Sequence, residues 1–230
     1  MVSTRNHPST FPPPDVSPSK ALTRSSPTFR KGWVHIPDRL TLLWLVFSLP
    51  LVIWDTAYVL LRPYSMTGGI LHNPIWTPYT LYGSVDLMYG KKAWDAHNGF
   101  TAAQGILNLL ESLGYIGYLL VVWRFGEGQS RTLAGGWGGV ACLTGFALSV
   151  MTLSKTLLYV LNEACSGFDN IGHNEWPQMV FLWIIPNGSW IVLPAYMTYA
   201  FAKDILNGLA KASGDTSSKP ARAATPTKDE

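Results

Sequence analysis

Residues 100–123 read FTAAQGILNLLESLGYIGYLLVVW, an apolar stretch long enough to cross a bilayer as a single helix. Its polar residues Gln104, Asn108, Glu111 and Tyr115 recur at steps of three or four positions and therefore share one helix face. An ionisable side chain at bilayer depth is costly and commonly marks a functional site. The segment predicts a membrane helix whose polar face turns toward other protein.

Three further stretches are also long and apolar enough to span a membrane. In chain order, the four predicted spans are 40–61, 100–123, 137–161 and 179–201. Asp38 suits the N-cap of the first span, and Arg62-Pro63 should end it because proline cannot continue a helical hydrogen-bond ladder. The predicted fold class is all-α: an integral membrane four-helix bundle with an intramembrane polar pocket.

Both ends of the chain have a composition that cannot bury an apolar core. Residues 1–35 are rich in Pro, Ser, Thr and basic residues, and residues 208–230 are rich in Lys, Ser and Thr. We predict that both are disordered tails flanking a membrane domain at 36–207. The first tail lacks the apolar run of a cleaved signal peptide, and Asp15 and the FPPP run fit a transit peptide less well than a plain tail.

Basic residues are distributed unequally among the segments outside the predicted spans. Lys and Arg number six in residues 1–39, three in 62–99, two in 124–136, none in 163–177 and five in 203–230. Cytosolic segments of membrane proteins carry the excess of basic residues. We therefore predict that both termini and the 124–136 loop are cytosolic, and that the acidic 163–177 loop faces the opposite side.

The composition excludes several classes of function. A net charge of +3, with the charged residues crowded into tails and loops, argues against a nucleic-acid partner. Cys142 in a span and Cys165 in a loop predict neither a disulfide framework nor a metal site. The sequence contains no P-loop, dinucleotide fingerprint or nucleophile elbow, so we predict neither a cofactor nor a metal. The expected partners are the lipid bilayer and a hydrophobic small molecule, and the sequence leaves a homodimer open.

Polar and aromatic residues form an inward-facing stripe on each predicted span. The residues predicted to reach the pocket are Asp55 and Tyr58 from the first span, Asn108, Glu111 and Tyr115 from the second, Lys155 and Tyr159 from the third, and Trp183, Asn187 and Trp190 from the fourth. A purely structural interpretation stays open, in which Lys155 pairs with Asp55 or Glu111 only to neutralise buried charge. In that interpretation Asp55 anchors the first helix, and Asn187 and Trp190 only pack between helices.

The 62–99 segment is long for a connection between helices. Its aromatic residues suit either a lid at the membrane interface or a surface loop with a small core of its own. We expect the histidines of the loops, His72, His97 and His173, to be surface groups.

Two segments carry a resemblance to a known family. The sequences SKTLLYVLNEACSGFDNIGH at 154–173 and FLWIIPNGSWIVLPAYM at 181–197 resemble the emopamil-binding protein family, which shares the EXPERA domain. WDTAYVL at 54–60 and LNLLESLGY at 107–115 are similar in layout to the family's first two spans. The resemblance covers about residues 40–202 and implies a protein of the endoplasmic reticulum membrane.

The resemblance also implies an activity and a set of residues for it. Sterol Δ8–Δ7 isomerases of this family move a double bond by protonating the alkene and then removing a neighbouring proton. Glu111 resembles their catalytic glutamate, and Asn187 and Trp190 resemble their asparagine and cation-facing tryptophan. The histidine of their first span falls at Pro50 here, and the acid four residues beyond it becomes Asp55, shifted by about one position.

These observations leave three functions open. The first is a membrane isomerase that shifts a carbon–carbon double bond in a sterol or related lipophilic metabolite, with Asp55, Glu111, Asn187 and Trp190 as its catalytic residues. An isomerase or cyclase of a secondary-metabolite pathway is a variant of it. The second is a sterol-binding, receptor-like protein without turnover, and the third is a structural helper of a membrane enzyme complex.

Overall fold

The computed structural model describes residues 32–214, and the remainder of both predicted tails lies outside the described residues. The elements, in chain order, are β1 (Val34–His35), α1 (Arg39–Leu60), α2 (Tyr79–Val85), α3 (Lys91–Asp95), α4 (Phe100–Phe125), β2 (Leu133–Ala134), α5 (Gly135–Cys165), α6 (Trp176–Gln178), a π-helical turn (Met179–Ile184) and α7 (Ile185–Ala212). Four helical stretches, α1, α4, α5 and the continuous Trp176–Ala212 segment, are long and apolar enough to cross a membrane. The predicted all-α architecture is confirmed, and within residues 32–214 the number of helices long and apolar enough to span a membrane is the predicted four.

The first span begins and ends close to where the sequence predicts. Asp38 caps α1, because its Oδ2 accepts a hydrogen bond from the Thr41 backbone N–H at 3.0 Å. The helix ends at Leu60, and only Leu61 separates it from Arg62-Pro63. Pro50 lies inside α1, where it removes one backbone donor from the ladder.

The helices expose apolar side chains and bury small polar ones, the reverse of a soluble bundle. On α1, Leu43 and Phe47 point outward with 69% and 61% of their surface exposed, whereas Thr41 and Ser48 are buried. On α5, Leu143 is exposed and Ser149 is fully buried. Membrane helices associate through small and hydroxyl side chains because lipid already solvates their apolar surface.

The order of helix packing places α4 and α5 between α1 and α7. Helix α5 packs most extensively against α7 and also against α4, whereas α1 packs mainly against α4 and touches α7 at few positions. Gly145 permits the close approach of α5 and α7, since a Cβ atom there would lie 2.3 Å from the Phe201 ring. A side chain at this position would require the Phe201 ring to move.

Regular secondary structure extends into both segments that the sequence assigned to the tails. Val34 and His35, assigned to the disordered tail, pair antiparallel with Ala134 and Leu133. The last helix continues to Ala212, beyond the predicted boundary at 207, because its final turns pack against Trp33. Cys165 is the last residue of α5 and does not lie in a loop.

Candidate functional site

A cavity of about 460 Å³ lies between the four spans and the segment that joins the first two. Its volume falls in the range of small-molecule sites, and aromatic and aliphatic side chains form most of its wall. The predicted site residues that line it are Asp55, Asn108, Lys155, Tyr159, Asn187 and Trp190. The polar stripes of all four spans therefore contribute to one cavity.

Asp55 is held against this cavity by two tyrosines from the 62–99 segment. Its Oδ1 accepts a hydrogen bond from the Tyr79 hydroxyl at 2.5 Å, and its Oδ2 accepts one from the Tyr89 hydroxyl at 3.2 Å. Burial raises the pKa of the Tyr79 hydroxyl well above its ordinary value, so this hydroxyl keeps its proton and donates. Tyr79 also stacks on Tyr58, with ring centroids 3.8 Å apart. No other carboxyl group within residues 32–214 lines the cavity.

Glu111 and Lys155 form a buried ion pair beside the cavity. Lys155 Nζ lies 2.9 Å from Glu111 Oε2, and the Thr152 hydroxyl donates to the same oxygen at 3.0 Å. Lys155 also donates to the side-chain oxygen of Asn108. Lys155 reaches the cavity wall, but Glu111 lies behind it and does not line the cavity. The ion pair that the structural interpretation expected is therefore present, with Glu111 as the partner of Lys155.

Asp86 is a buried carboxyl group that the sequence did not single out. The Tyr159 hydroxyl donates to its Oδ2 at 2.5 Å, and the Trp183 indole N–H donates to the same oxygen at 3.1 Å. The backbone N–H of Met88 donates to Oδ1 at 3.0 Å. Burial raises the pKa of Asp86 to about 6, against the lowering effect of the hydrogen bond from Tyr159. Through Tyr159, this carboxyl group is connected to the cavity.

The fourth span reaches the cavity through an irregular helix. The π-helical turn Met179–Ile184 precedes Pro186, and such turns occur frequently at functional sites. Asn187 donates to the backbone carbonyl of Trp183 at 2.8 Å and lines the cavity. Trp190 lines it too and packs edge-on against Trp44, with ring centroids 4.9 Å apart.

Four predicted pocket residues lie outside the cavity wall. Besides Glu111, they are Tyr58, Tyr115 and Trp183, and all four are buried. Tyr58 donates to the backbone carbonyl of Tyr89 at 3.0 Å, and Trp183 holds Asp86. Tyr115 lies 3.4 Å from the Thr152 hydroxyl, within the network around Glu111. These residues support those that line the cavity.

The aromatic segment between the first two spans covers one side of the cavity. Pro78, Tyr79, Leu81, Tyr82 and Tyr89 line it, which agrees with the lid interpretation of residues 62–99. Trp76 and Trp94 do not line it.

One prediction about this segment was wrong. His72 is buried, and its ring nitrogens form hydrogen bonds with the Ser65 carbonyl at 2.8 Å and the Thr80 hydroxyl at 2.9 Å. His97 and His173 are exposed, as predicted.

Comparisons with protein-family models, with curated proteins and with solved structures found no match to this chain.

Proposed function

We propose that this chain is an integral membrane isomerase that shifts a carbon–carbon double bond in a sterol or related lipophilic metabolite. The observation that carries the proposal is the carboxyl group of Asp55, held by two tyrosine hydroxyls at the wall of a largely aromatic cavity. The resemblance to the emopamil-binding protein family supports the same reaction class. It also favours the endoplasmic reticulum membrane, and the basic residues favour cytosolic termini.

In the proposed first step, Asp55 in its acid form transfers a proton to one alkene carbon. The alkene electron pair forms the new C–H bond, and the neighbouring carbon becomes a carbocation. Glu111 resembles the catalytic glutamate of the family, but its Oε2 accepts hydrogen bonds from Lys155 and Thr152, and the residue does not line the cavity. We therefore assign the proton transfer to Asp55.

In the second step, a base removes a proton from a carbon adjacent to the cation. Tyr159 lines the cavity and bonds Asp86 at 2.5 Å, so its oxygen can accept that proton while its own hydroxyl proton passes to Asp86. The electron pair of the broken C–H bond forms the shifted double bond. The catalytic cycle closes when Asp86 releases its proton to solvent and Asp55 takes up a solvent proton, and no cofactor is consumed.

The carbocation between the two steps needs an electron-rich wall. Trp190 and four tyrosines line the cavity, and an aromatic face turned toward the ligand attracts a cation. The ammonium group of Lys155 would repel it, but the carboxylate of Glu111 balances that charge at 2.9 Å. This gives Glu111 a supporting role in the proposed mechanism.

The second candidate function is binding of the same ligand class without turnover. The observation that favours it is that the family's first-span histidine is replaced by Pro50, while Glu111 is engaged in an ion pair. In this case the cavity serves as a receptor site. The secondary-metabolite variant of the isomerase differs only in its substrate.

The deciding experiment supplies a Δ8 sterol to the detergent-purified protein in D2O. The proposal expects the Δ7 product carrying deuterium at the protonated carbon. Saturable sterol binding without product would favour the receptor function. The absence of both binding and product would contradict both candidates for sterols, and a panel of non-steroidal terpenoid alkenes would then test the variant.

A further inference from the structure

Three side chains with metal-binding donor atoms meet far from the cavity. His35 of β1, Cys142 of α5 and Asp204 of α7 place one ligand atom each within 4.8 Å of one another. None of them lines the cavity. Cys142 precedes Lys155 by 13 residues on α5, which corresponds to roughly 20 Å along the helix axis.

The fold, and not a local motif, assembles this cluster. His35 is positioned by its strand pairing with Leu133, next to the start of α5. Its Nδ1 lies 2.6 Å from Asp204 Oδ2, and the Cys142 Sγ lies 3.7 Å from the same oxygen. His35 and Cys142 are 2% and 1% exposed, whereas the Asp204 side chain is 25% exposed and gives the cluster an open side.

A second layer of hydrogen bonds orients two of these ligands. The Trp33 indole N–H donates to Asp204 Oδ1 at 3.1 Å, and His35 Nε2 lies 3.1 Å from the Tyr118 hydroxyl oxygen. Histidines that bind metals usually donate their other ring N–H in this way, which fixes the tautomer. With Nε2–H donating to Tyr118, a neutral His35 turns the lone pair of Nδ1 toward Asp204 Oδ2 at 2.6 Å, and either a bound metal ion or a proton on Nδ1 satisfies this contact.

We propose that His35, Cys142 and Asp204 form a binding site for a zinc-class divalent cation. A nitrogen, a thiolate sulfur and a carboxylate oxygen suit Zn²⁺, whereas the sulfur ligand disfavours Mg²⁺ and Ca²⁺. A tetrahedral Zn²⁺ places such donors roughly 3.3–3.5 Å apart. The Cys142–Asp204 separation already approaches this, and the His35–Asp204 separation must open by less than about 1 Å.

Water at the open side would complete four-coordination. The role of the site is structural, because the ion would join the N-terminal strand to the third and fourth spans. The competing interpretation is a plain hydrogen bond, in which Tyr118 donates to Nε2 and His35 Nδ1–H donates to Asp204. That interpretation needs no metal, and it gives the thiol of Cys142 no role as a ligand. The two interpretations therefore differ in the metal content and spectrum of the protein.

The test uses the full-length chain, purified in detergent from cells grown with added zinc. Mass spectrometry should find about one zinc per chain, and after chelation Co²⁺ should restore a thiolate-to-cobalt charge-transfer band. Cys142→Ser should lose this band, while Cys165→Ser, a change at the exposed cysteine, should keep it. Tyr118→Phe should lower the affinity for Co²⁺ about tenfold or more by removing the second-layer partner of His35.

A wild-type protein that shows no band would overturn the site, as would a band that disappears in Cys165→Ser. If Cys142→Ser does not fold, His35→Gln provides the second variant, and it should weaken Co²⁺ binding and shift the visible spectrum. An unchanged Co²⁺ spectrum in His35→Gln would equally contradict the proposal. None of these measurements depends on isomerase activity.

Discussion

Tyr159 and Asp86 join the third span to the segment between the first two spans through a hydrogen bond of 2.5 Å. Asp86 is fully buried, and the same oxygen also accepts the indole N–H of Trp183. One carboxyl group therefore links the aromatic lid to two spans. Because Tyr159 faces the cavity, the protonation of Asp86 should affect both the stability and the proposed chemistry.

We expect the stability of the protein to rise as the pH falls from about 7 to 4. Burial raises the pKa of Asp86 from 3.8 to about 6, so the folded state binds this proton more tightly than the unfolded state. The contribution is fully present below pH 4 and is lost as the pH rises through 6, with a magnitude of about 3 kcal/mol. Unfolding in detergent, measured against pH for the wild type and Asp86→Asn, should show this dependence only in the wild type.

The proposed turnover should fall below pH 6 for the same reason, since a protonated Asp86 cannot accept the proton of Tyr159. Tyr159→Phe should lower turnover at every pH and should remove this acid limb. If the acid limb persists in Tyr159→Phe, the second proton carrier lies elsewhere.

Asp55→Asn should reduce turnover by about a hundredfold or more, because asparagine keeps the shape but cannot transfer a proton. Ligand affinity should change little, since the amide still fits between Tyr79 and Tyr89. Asp95→Asn is the matched control, because Asp95 is an exposed residue that pairs only with Lys91 on the surface. Full turnover in Asp55→Asn would remove Asp55 from the mechanism.

Removing one partner of the Glu111–Lys155 ion pair should lower the stability of the protein more than replacing both partners together. Glu111→Gln or Lys155→Met alone leaves an uncompensated buried charge, which typically costs about 3–5 kcal/mol. The double variant should lose less than the sum of the two single variants, and denaturation in detergent measures all three. A Glu111→Gln protein of wild-type stability but without turnover would instead restore Glu111 as the proton carrier.

Trp190→Ala should lower the proposed turnover by up to about thirtyfold, since an aromatic face contributes about 0.5–2 kcal/mol to a nearby cation. Trp190→Phe should fall between the wild type and the alanine variant because its π face is weaker. Trp123→Ala serves as the control, as Trp123 is exposed on the outside of α4. Equal losses in Trp190→Ala and Trp123→Ala would indicate a packing effect.

The orientation prediction can be checked with glycosylation acceptors in microsomes. An acceptor inserted beside the exposed Asp169 should be modified, and one in the C-terminal tail should not, because basic residues mark the cytosolic side. The opposite pattern would reverse the topology.

The sequence predicted the spans and much of the cavity wall because helical periodicity places residues three and four apart on one face. Asn108, Lys155 and Asn187 reach the cavity as their stripes indicate. Periodicity could not show how deep a side chain lies in the bundle. Glu111 belongs to the correct stripe, yet Lys155 stands between it and the cavity.

Asp86 and His35 were missed because neither lies on a predicted span. Asp86 sits in the aromatic sequence YGSVDLMYG, and an acid among such neighbours was the available signal of burial. His35 was assigned to a disordered tail, and its burial depends on pairing with residues about 100 positions away along the chain. Local composition does not carry that information.

The scarcity of contacts between α1 and α7 has a consequence for how a ligand arrives. Both helices contribute to the cavity wall, but they contact each other at only a few positions, one of which is the pair Trp44 and Trp190. We expect a lipophilic molecule to enter the cavity laterally, from the acyl-chain region of the bilayer, by passing between α1 and α7. Its occupancy would then follow its concentration in the bilayer, so partition coefficients, rather than aqueous solubility, would rank competing ligands.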